Sequence, residues 1–434
     1  MHCLLILFKF ILIICISSVT SLFCYWNTGC PYKYFSSQTP YNMLRGDVRD
    51  SLVKLTDCHP VSIWALMRHG KTYPATDIAK TMKDTMFIKD YVITSYENGN
   101  SSLCAQDVDN LRDWVTDKNF FAKHNQLSEE GYQEMQGIGR RLLYAFPKLL
   151  KQLNQNDYTL RAIKTKWTQE SLKAFVDGLG NKELKIETAQ DGYDNILPYE
   201  TCTKYTRDIL QSNVTYVEAE KYENSSEYLV LKDRIGRRLG LEYELKDENI
   251  KAMWDFCRYF SSGISNKFSP WCSLFTTEDL KVMEYVADLR HYYQNGYGTE
   301  MNKLFGEIVL SDLMRSFQAA RDSSGKKITG YVTQGPVIDM VYTALGLFKD
   351  ENPLTGAKRV PDRKWRTSKI SIFANNLIAV LNKCEKEVDD DYNVVFYINE
   401  EPLRPICKGG VCTWEEFKNK LSPFLDTKTD FCQT

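Results

Sequence analysis

The chain has 434 residues, 43% of them hydrophobic and 13% aromatic, and its 55 Lys+Arg against 56 Asp+Glu give a formal net charge of −1. That apolar content excludes a disordered chain, and the length suits two to three domain-sized units or one α/β domain with an inserted helical lobe. The charge balance excludes a global electrostatic pull toward nucleic acid or an anionic membrane.

In chain order, His2 and Lys9 come first, then an apolar run from Phe10 to Ile16, then small residues with Val19 and Ser21 at −3 and −1 of a cleavage site. The pattern predicts a secretory signal peptide over residues 1–21, because the apolar run is far short of the roughly twenty residues that a membrane span needs. The mature chain, 22–434, is therefore expected without a stable membrane span, in the secretory pathway or outside the cell, with the ER lumen or a lysosome-like compartment as the alternative. Of the thirteen cysteines, Cys3 and Cys15 leave with the leader, and the odd remainder is widely scattered with no CxxC spacing. Such scatter favours disulfides over zinc ligation and leaves at least one thiol over. Cys257 with Cys272, and Cys407 with Cys412 across Gly409-Gly410, are the expected pairs. Sequons at Asn100, Asn213 and Asn224 predict glycosylated surface loops.

Val61 to Met67 is almost wholly apolar and lies between Pro60 and Arg68-His69-Gly70. It predicts a buried central strand, as in a parallel sheet covered on both faces, opening into a loop. Ser128 is placed to cap a helix running to about Leu150, with Tyr132, Met135, Ile138, Leu142 and Leu143 at helical spacing. Tyr158–Ile163 reads as a second strand and Thr168–Leu179 as a helix. From about Leu184 to Glu300 the chain is rich in helix formers, charges and aromatics, which predicts a mostly helical insertion. Thr329–Thr333 is a third strand, followed by a helix from Pro336 to about Phe348, and Asn393–Ile398 is a fourth. The alternation predicts an α/β fold, an open sheet flanked by helices. Its core is expected at about 45–180 and 300–425, with a helical cap at about 184–300. Sites in such sheets lie beyond the carboxyl ends of the strands, so the loops after Met67 and Thr333 point at one place.

The first of those loops reads Arg68-His69-Gly70-Lys71-Thr72-Tyr73-Pro74. A histidine can attack phosphorus and carry the phosphoryl group covalently, splitting one hard displacement into two easier ones. An adjacent arginine grips phosphate oxygens with its planar fork, and a glycine lets the backbone approach closely. On these residues the chain resembles the histidine acid phosphatases, whose motif here is Arg-His-Gly-x-Arg-x-Pro, and their multiple inositol polyphosphate phosphatase branch, which commonly reads Arg-His-Gly-Thr-Arg-Tyr-Pro. The resemblance continues through Ser128–Tyr144, Ser171–Leu179, Met253–Tyr259, Trp271–Ser273, Gly296–Gly298, Lys364–Thr367 and Cys407–Trp414, and spans about Cys24 to Leu425.

The resemblance implies a histidine-phosphatase-like fold and hydrolysis of inositol polyphosphate monoesters through phosphohistidine at His69. It implies a small phosphorylated substrate or ligand and no metal or organic cofactor. It also marks departures. Thr72 stands where the motif has its second arginine, and Trp167 falls on the next phosphate arginine. Gln334 falls on the second histidine and Pro336 on the proton donor. The chain has five histidines, and none follows His291, so no later loop can supply the missing ring. The expected phosphate contacts are therefore Arg68, Lys71, Lys166 and Gln334, with Thr72, Trp167 and Pro336 as degenerate positions and Asp339 as a stand-in carboxyl. A positioned acid is worth about 10²–10⁴ in rate and one charge-stabilising donor about 10²–10³. Turnover is thus expected to be weak or lost, the alternative being a non-catalytic protein that binds an anionic or other small ligand.

Overall fold

The computed structural model describes residues 30–432 apart from 118, 182, 190, 266 and 386–390, so the expected leader lies outside the described residues. Among these residues, seven strands make one sheet. They are β1 (Cys58–Arg68), β2 (Tyr158–Ala162), β3 (Ile328–Thr333), β4 (Asn376–Cys384), β5 (Asp391–Ile398), β6 (Glu401–Pro402) and β7 (Val411–Thr413). Their order is β2-β3-β1-β4-β5-β6, with β7 also on β5.

The sheet is mixed, which corrects the parallel expectation. β2, β3 and β1 are parallel, whereas β4 runs antiparallel to β1 and β5 antiparallel to β4. β4, β6 and β7 are strands that the sequence reading does not predict. The Leu377–Leu381 run of β4 is buried on both faces, as the apolar run of β1 is. Cys58 and Cys384 are register partners at one end of the β1–β4 pair and are joined by a disulfide.

The helices that place the site are α1 (Thr76–Thr85), α2 (Glu129–Ala145), α3 (Lys166–Gly178), α4 (Asp247–Tyr259), α5 (Thr277–Asn295), α6 (Glu300–Arg321) and α7 (Gly335–Ala344). Ser128 Oγ caps α2 by accepting from the Gly131 N–H at 3.0 Å. α2 ends at Ala145 rather than near Leu150, because Pro147 has no N–H to give and opens a separate turn, Pro147–Leu150. α7 stops at Ala344, just before Gly346, whose φ of 71° is left-handed.

Both sheet faces are covered. Trp64 and Leu66 of β1 point into a cluster with Met253 of α4, Tyr285 and Leu289 of α5 and Leu310 of α6. Ile63, Ala65 and Met67 point the other way, against Met135, Ile138 and Leu142 of α2 and Leu172 and Phe175 of α3. The helices between β2 and β3 in sequence thus share a core with the sheet.

The loop after β1 is pressed onto the start of α2. A Cβ at Gly70 would stand 2.2 Å from the Gly131 carbonyl oxygen, and one at Gly131 would stand 2.2 Å from that of Lys71. Backbone cannot yield there as a flexible side-chain end could. Gly131→Ala is therefore expected to cost about 1–3 kcal/mol, the range for overpacking a tight site. Gly236→Ala, in a helix where nothing lies within 4 Å, should leave stability unchanged or slightly raised. Urea unfolding of the two variants checks this; equal losses would contradict the close-approach account.

Candidate active site

Arg68 and Thr333 are register partners at the carboxyl ends of β1 and β3. Beyond them the His69 N–H donates to the Thr333 carbonyl at 3.2 Å, and the Ala374 N–H donates to the His69 carbonyl at 2.9 Å. A Cβ at Gly335 would lie 3.3 Å from Arg68 Nε, so Gln334-Gly335 and Arg68-His69 are neighbours in space. The two loops that the sequence aims at one place do meet.

His69 is buried, with Nδ1 2.8 Å from the Gly70 carbonyl oxygen. Burial, helped by the Arg68 charge, holds its pKa down at about 3. The ring is therefore neutral at physiological pH. A carbonyl can only accept, so Nδ1 carries the proton and Nε2 keeps its lone pair. Trp167 stands edge-on to the ring at 6.5 Å between centroids, and Phe373 is tilted against it at 6.2 Å. The Gly70 N–H donates to Ser171 Oγ, which donates to the Trp167 carbonyl, tying the motif loop to α3.

Arg68 Nη1 donates to the Ser37 carbonyl at 2.5 Å and the Ser371 carbonyl at 2.6 Å, and its guanidinium carbon lies 4.7 Å from the Phe373 ring centre. Its Nε is buried with no hydrogen-bond partner among the described residues. Burial lowers its pKa to about 10, which still leaves it charged at neutral pH. Half of the fork is thus committed to backbone. Two helices add positive partial charge, because the 13-residue α3 begins beside His69 with Trp167 and the 10-residue α7 begins beside Arg68 with Gly335.

The other expected residues divide. Trp167 is half-buried against His69, and half-buried Gln334 precedes α7 without a side-chain cap, its Oε1 accepting from the Tyr199 hydroxyl at 3.2 Å. Pro336 opens α7 and has no group to give. Thr72 bridges to Leu127. Lys71 and Lys166, expected as phosphate contacts, have other partners in this structure. Lys71 Nζ donates to Glu130 Oε2 at 2.7 Å and to the Ser261 carbonyl at 2.6 Å. Lys166 is exposed, with Nζ 3.8 Å from Glu170. Asp339 is fully buried and accepts from Ser371 Oγ and from His291 Nδ1, so it is not presented as an acid at His69. His59 and His124 are exposed. Sequence reasoning missed Ser37, Ser371 and Phe373, which reach Arg68 and His69 from distant chain segments and carry no motif.

The sequence model for the histidine phosphatase superfamily (branch 2) matches residues 62–399. Among curated relatives, the multiple inositol polyphosphate phosphatase 1 of Drosophila melanogaster is 27% identical, over 93% of this chain and 88% of that protein. Its Homo sapiens counterpart is 26% identical over 92% and 88%. Among solved structures, the phytase from D. castellii superposes with a TM-score of 0.73 at 16% identity, covering 91% of this chain and 86% of that one. The Bifidobacterium longum multiple inositol polyphosphate phosphatase in complex with inositol hexasulfate gives 0.67 at 12%, covering 92% and 99%.

The neutral ring has a consequence for stability. Its folded pKa is depressed from 6.5 to about 3, so its contribution is present above pH 6.5 and is lost as pH falls toward 3. His69→Gln should flatten the acid arm of the stability profile over that window. Nitrogen-15 NMR of labelled histidine should show His69 neutral with its proton on Nδ1 at pH 5. An imidazolium signal at pH 5, or a proton on Nε2, would contradict the assignment.

Proposed function

Because this chain belongs to the histidine phosphatase superfamily (branch 2), we propose that it is a secreted protein that binds inositol polyphosphate-like monoesters at His69 and turns them over weakly. One observation carries this reading. A neutral histidine with its Nε2 available stands beside Arg68 and two helix N-termini, while glutamine and proline occupy the start of α7. In the reaction, Nε2 attacks phosphorus, the ester P–O bond breaks, and water later releases phosphate from the phosphohistidine. The departing alkoxide needs a proton, which Pro336 cannot give, and the spread phosphoryl charge meets one half-committed guanidinium. A missing acid costs about 10²–10⁴ in rate and each missing donor about 10²–10³, and these losses do not multiply in full.

Secretion is supported by disulfides at Cys58–Cys384, Cys202–Cys432, Cys257–Cys272 and Cys407–Cys412, and by exposed positions for Asn100, Asn213 and Asn224. Cys30 is the free, exposed thiol among the described residues. A second reading, a non-catalytic binding protein, is favoured by Trp167 and Phe373, which put aromatic surface where a phosphatase needs cations.

Phosphate release from inositol hexakisphosphate at pH 5 and pH 7 separates these readings. Release is expected to be slow but above that of His69→Ala. A combined Thr72→Arg, Gln334→His, Pro336→Glu variant should raise it by about 10²-fold, the lower worth of a restored acid. Release equal to His69→Ala, before and after the restoration, would leave only the binding reading. Rapid turnover by the unaltered chain would contradict both.

A further inference from the structure

The first turns of α2 hold two carboxylates against the motif loop, and the chemistry above uses neither. Glu134 is buried, at 1% exposure; its Oε1 accepts from the Tyr41 N–H at 2.8 Å and its Oε2 from the Lys71 N–H at 3.0 Å. Glu130, one turn earlier, accepts from the Gly263 N–H at 2.6 Å and from Lys71 Nζ at 2.7 Å. The Lys71 carbonyl is held too, by the Ser128 N–H at 2.9 Å and Ser128 Oγ at 2.7 Å. Every polar group of Lys71, two residues past His69, is thus bonded to α2 or its cap.

Tyr41 leads from Glu134 to the arginine. Two residues before it, the Thr39 carbonyl accepts from the Phe373 N–H at 3.1 Å; two before that, the Ser37 carbonyl accepts from Arg68 Nη1 at 2.5 Å. A single carboxylate therefore joins the loop that carries His69 to the turns that hold the Arg68 guanidinium and Phe373. The join depends on charge. A carboxylate accepts both N–H groups, whereas a protonated carboxyl turns one of its oxygens into a donor that meets an N–H. Burial first, then the Glu130 charge, pushes the Glu134 pKa up to about 7, against the pull of the two N–H groups and Lys71. Of the other charged groups nearby, Glu400 takes the Tyr41 hydroxyl and is matched by Arg141. Glu134 is the least of the groups whose charge acts on Arg68, behind Tyr259 and Asp339, so it reaches the guanidinium through backbone rather than through its field.

We infer that Glu134 is the positioning residue of this site, setting the Arg68 guanidinium relative to the His69 ring through the two N–H groups it binds. The inference rests on the reading that an anion is held by that pair. An arginine grips an oxyanion through a planar fork, so its worth depends on where the fork stands. The arrangement is therefore fixed while Glu134 is charged and loosens as pH falls through about 7.

Nitrogen-15 NMR of the ligand-free mature chain tests it first. The His69 ring takes its own proton near pH 3, so an inflection of its signals near pH 7 reports on another group. The unaltered chain should show that inflection. Glu134→Gln should abolish it, Glu130→Gln should move it to lower pH by removing the like charge, and His291→Gln should leave it in place. Calorimetric titration at pH 8 then reads the site itself, with sulfate as the probe because its charge does not change near neutral pH. Glu134→Gln should weaken sulfate binding by at least about fivefold, the lower end for two coupled sites, whereas losing a negative charge alone would strengthen it. No inflection in the unaltered chain, or sulfate bound by Glu134→Gln as tightly or more tightly, would overturn the inference. Should Glu134→Gln not fold, the inflection and its displacement in Glu130→Gln decide. If the unaltered chain shows the inflection but binds no sulfate, the reading at His69 fails and the positioning stands.

Discussion

The pairing of β1 with β3 decides what stands beside what in this molecule. Parallel strands in register end at the same level, so Arg68 and Thr333 finish together and their loops leave into the same space. Everything at the site follows from that. His69 is anchored through its N–H to Thr333, α7 begins against Arg68, and α3 begins against the His69 ring. The glycine contact between the motif loop and α2 holds the arrangement from below. The site is a property of backbone geometry before it is a property of side chains, which is why it persists where its side chains have changed.

What has changed is the electrostatics. His69, the proposed nucleophile, has its ring kept neutral by burial and its tautomer fixed by the Gly70 carbonyl. On the proposed reading, the surroundings match poorly a phosphoryl group that must gather and shed charge. The remaining guanidinium is spent in part on two carbonyls, aromatic rings occupy the flanks, and a proline stands in place of an acid. Helix N-termini still favour an anion, but fixed partial charges of about half a unit bind phosphate better than they stabilise its transfer. On the reading proposed for this site, binding therefore tolerates such surroundings better than turnover does.

The sequence discloses a good part of this. The strand at 61–67, the helix capped by Ser128, the strands near 158, 329 and 393, and two of the disulfides are all legible, because local patterning and spacing carry them. β4 is not picked out, and β6 and β7, of two and three residues, are too short to show a period. The positions of Trp167 and Gln334 follow from counting along the chain. The directions taken by Lys71 and Asp339 do not, since a long side chain goes to whichever partner the tertiary fold brings near. Lys71 finds Glu130 on α2, and Asp339 finds His291 on α5 across 48 residues of sequence.

The central claim is that a competent nucleophile is held in a setting that supports transfer only weakly. Rapid-quench trapping of phosphohistidine, located by mass spectrometry after mixing with excess inositol hexakisphosphate, tests it most directly. The account predicts that phosphorylated His69 accumulates slowly and to a small fraction of the chains. One phosphoryl group per chain on His69 within the first turnover time of an ordinary phosphatase would contradict it.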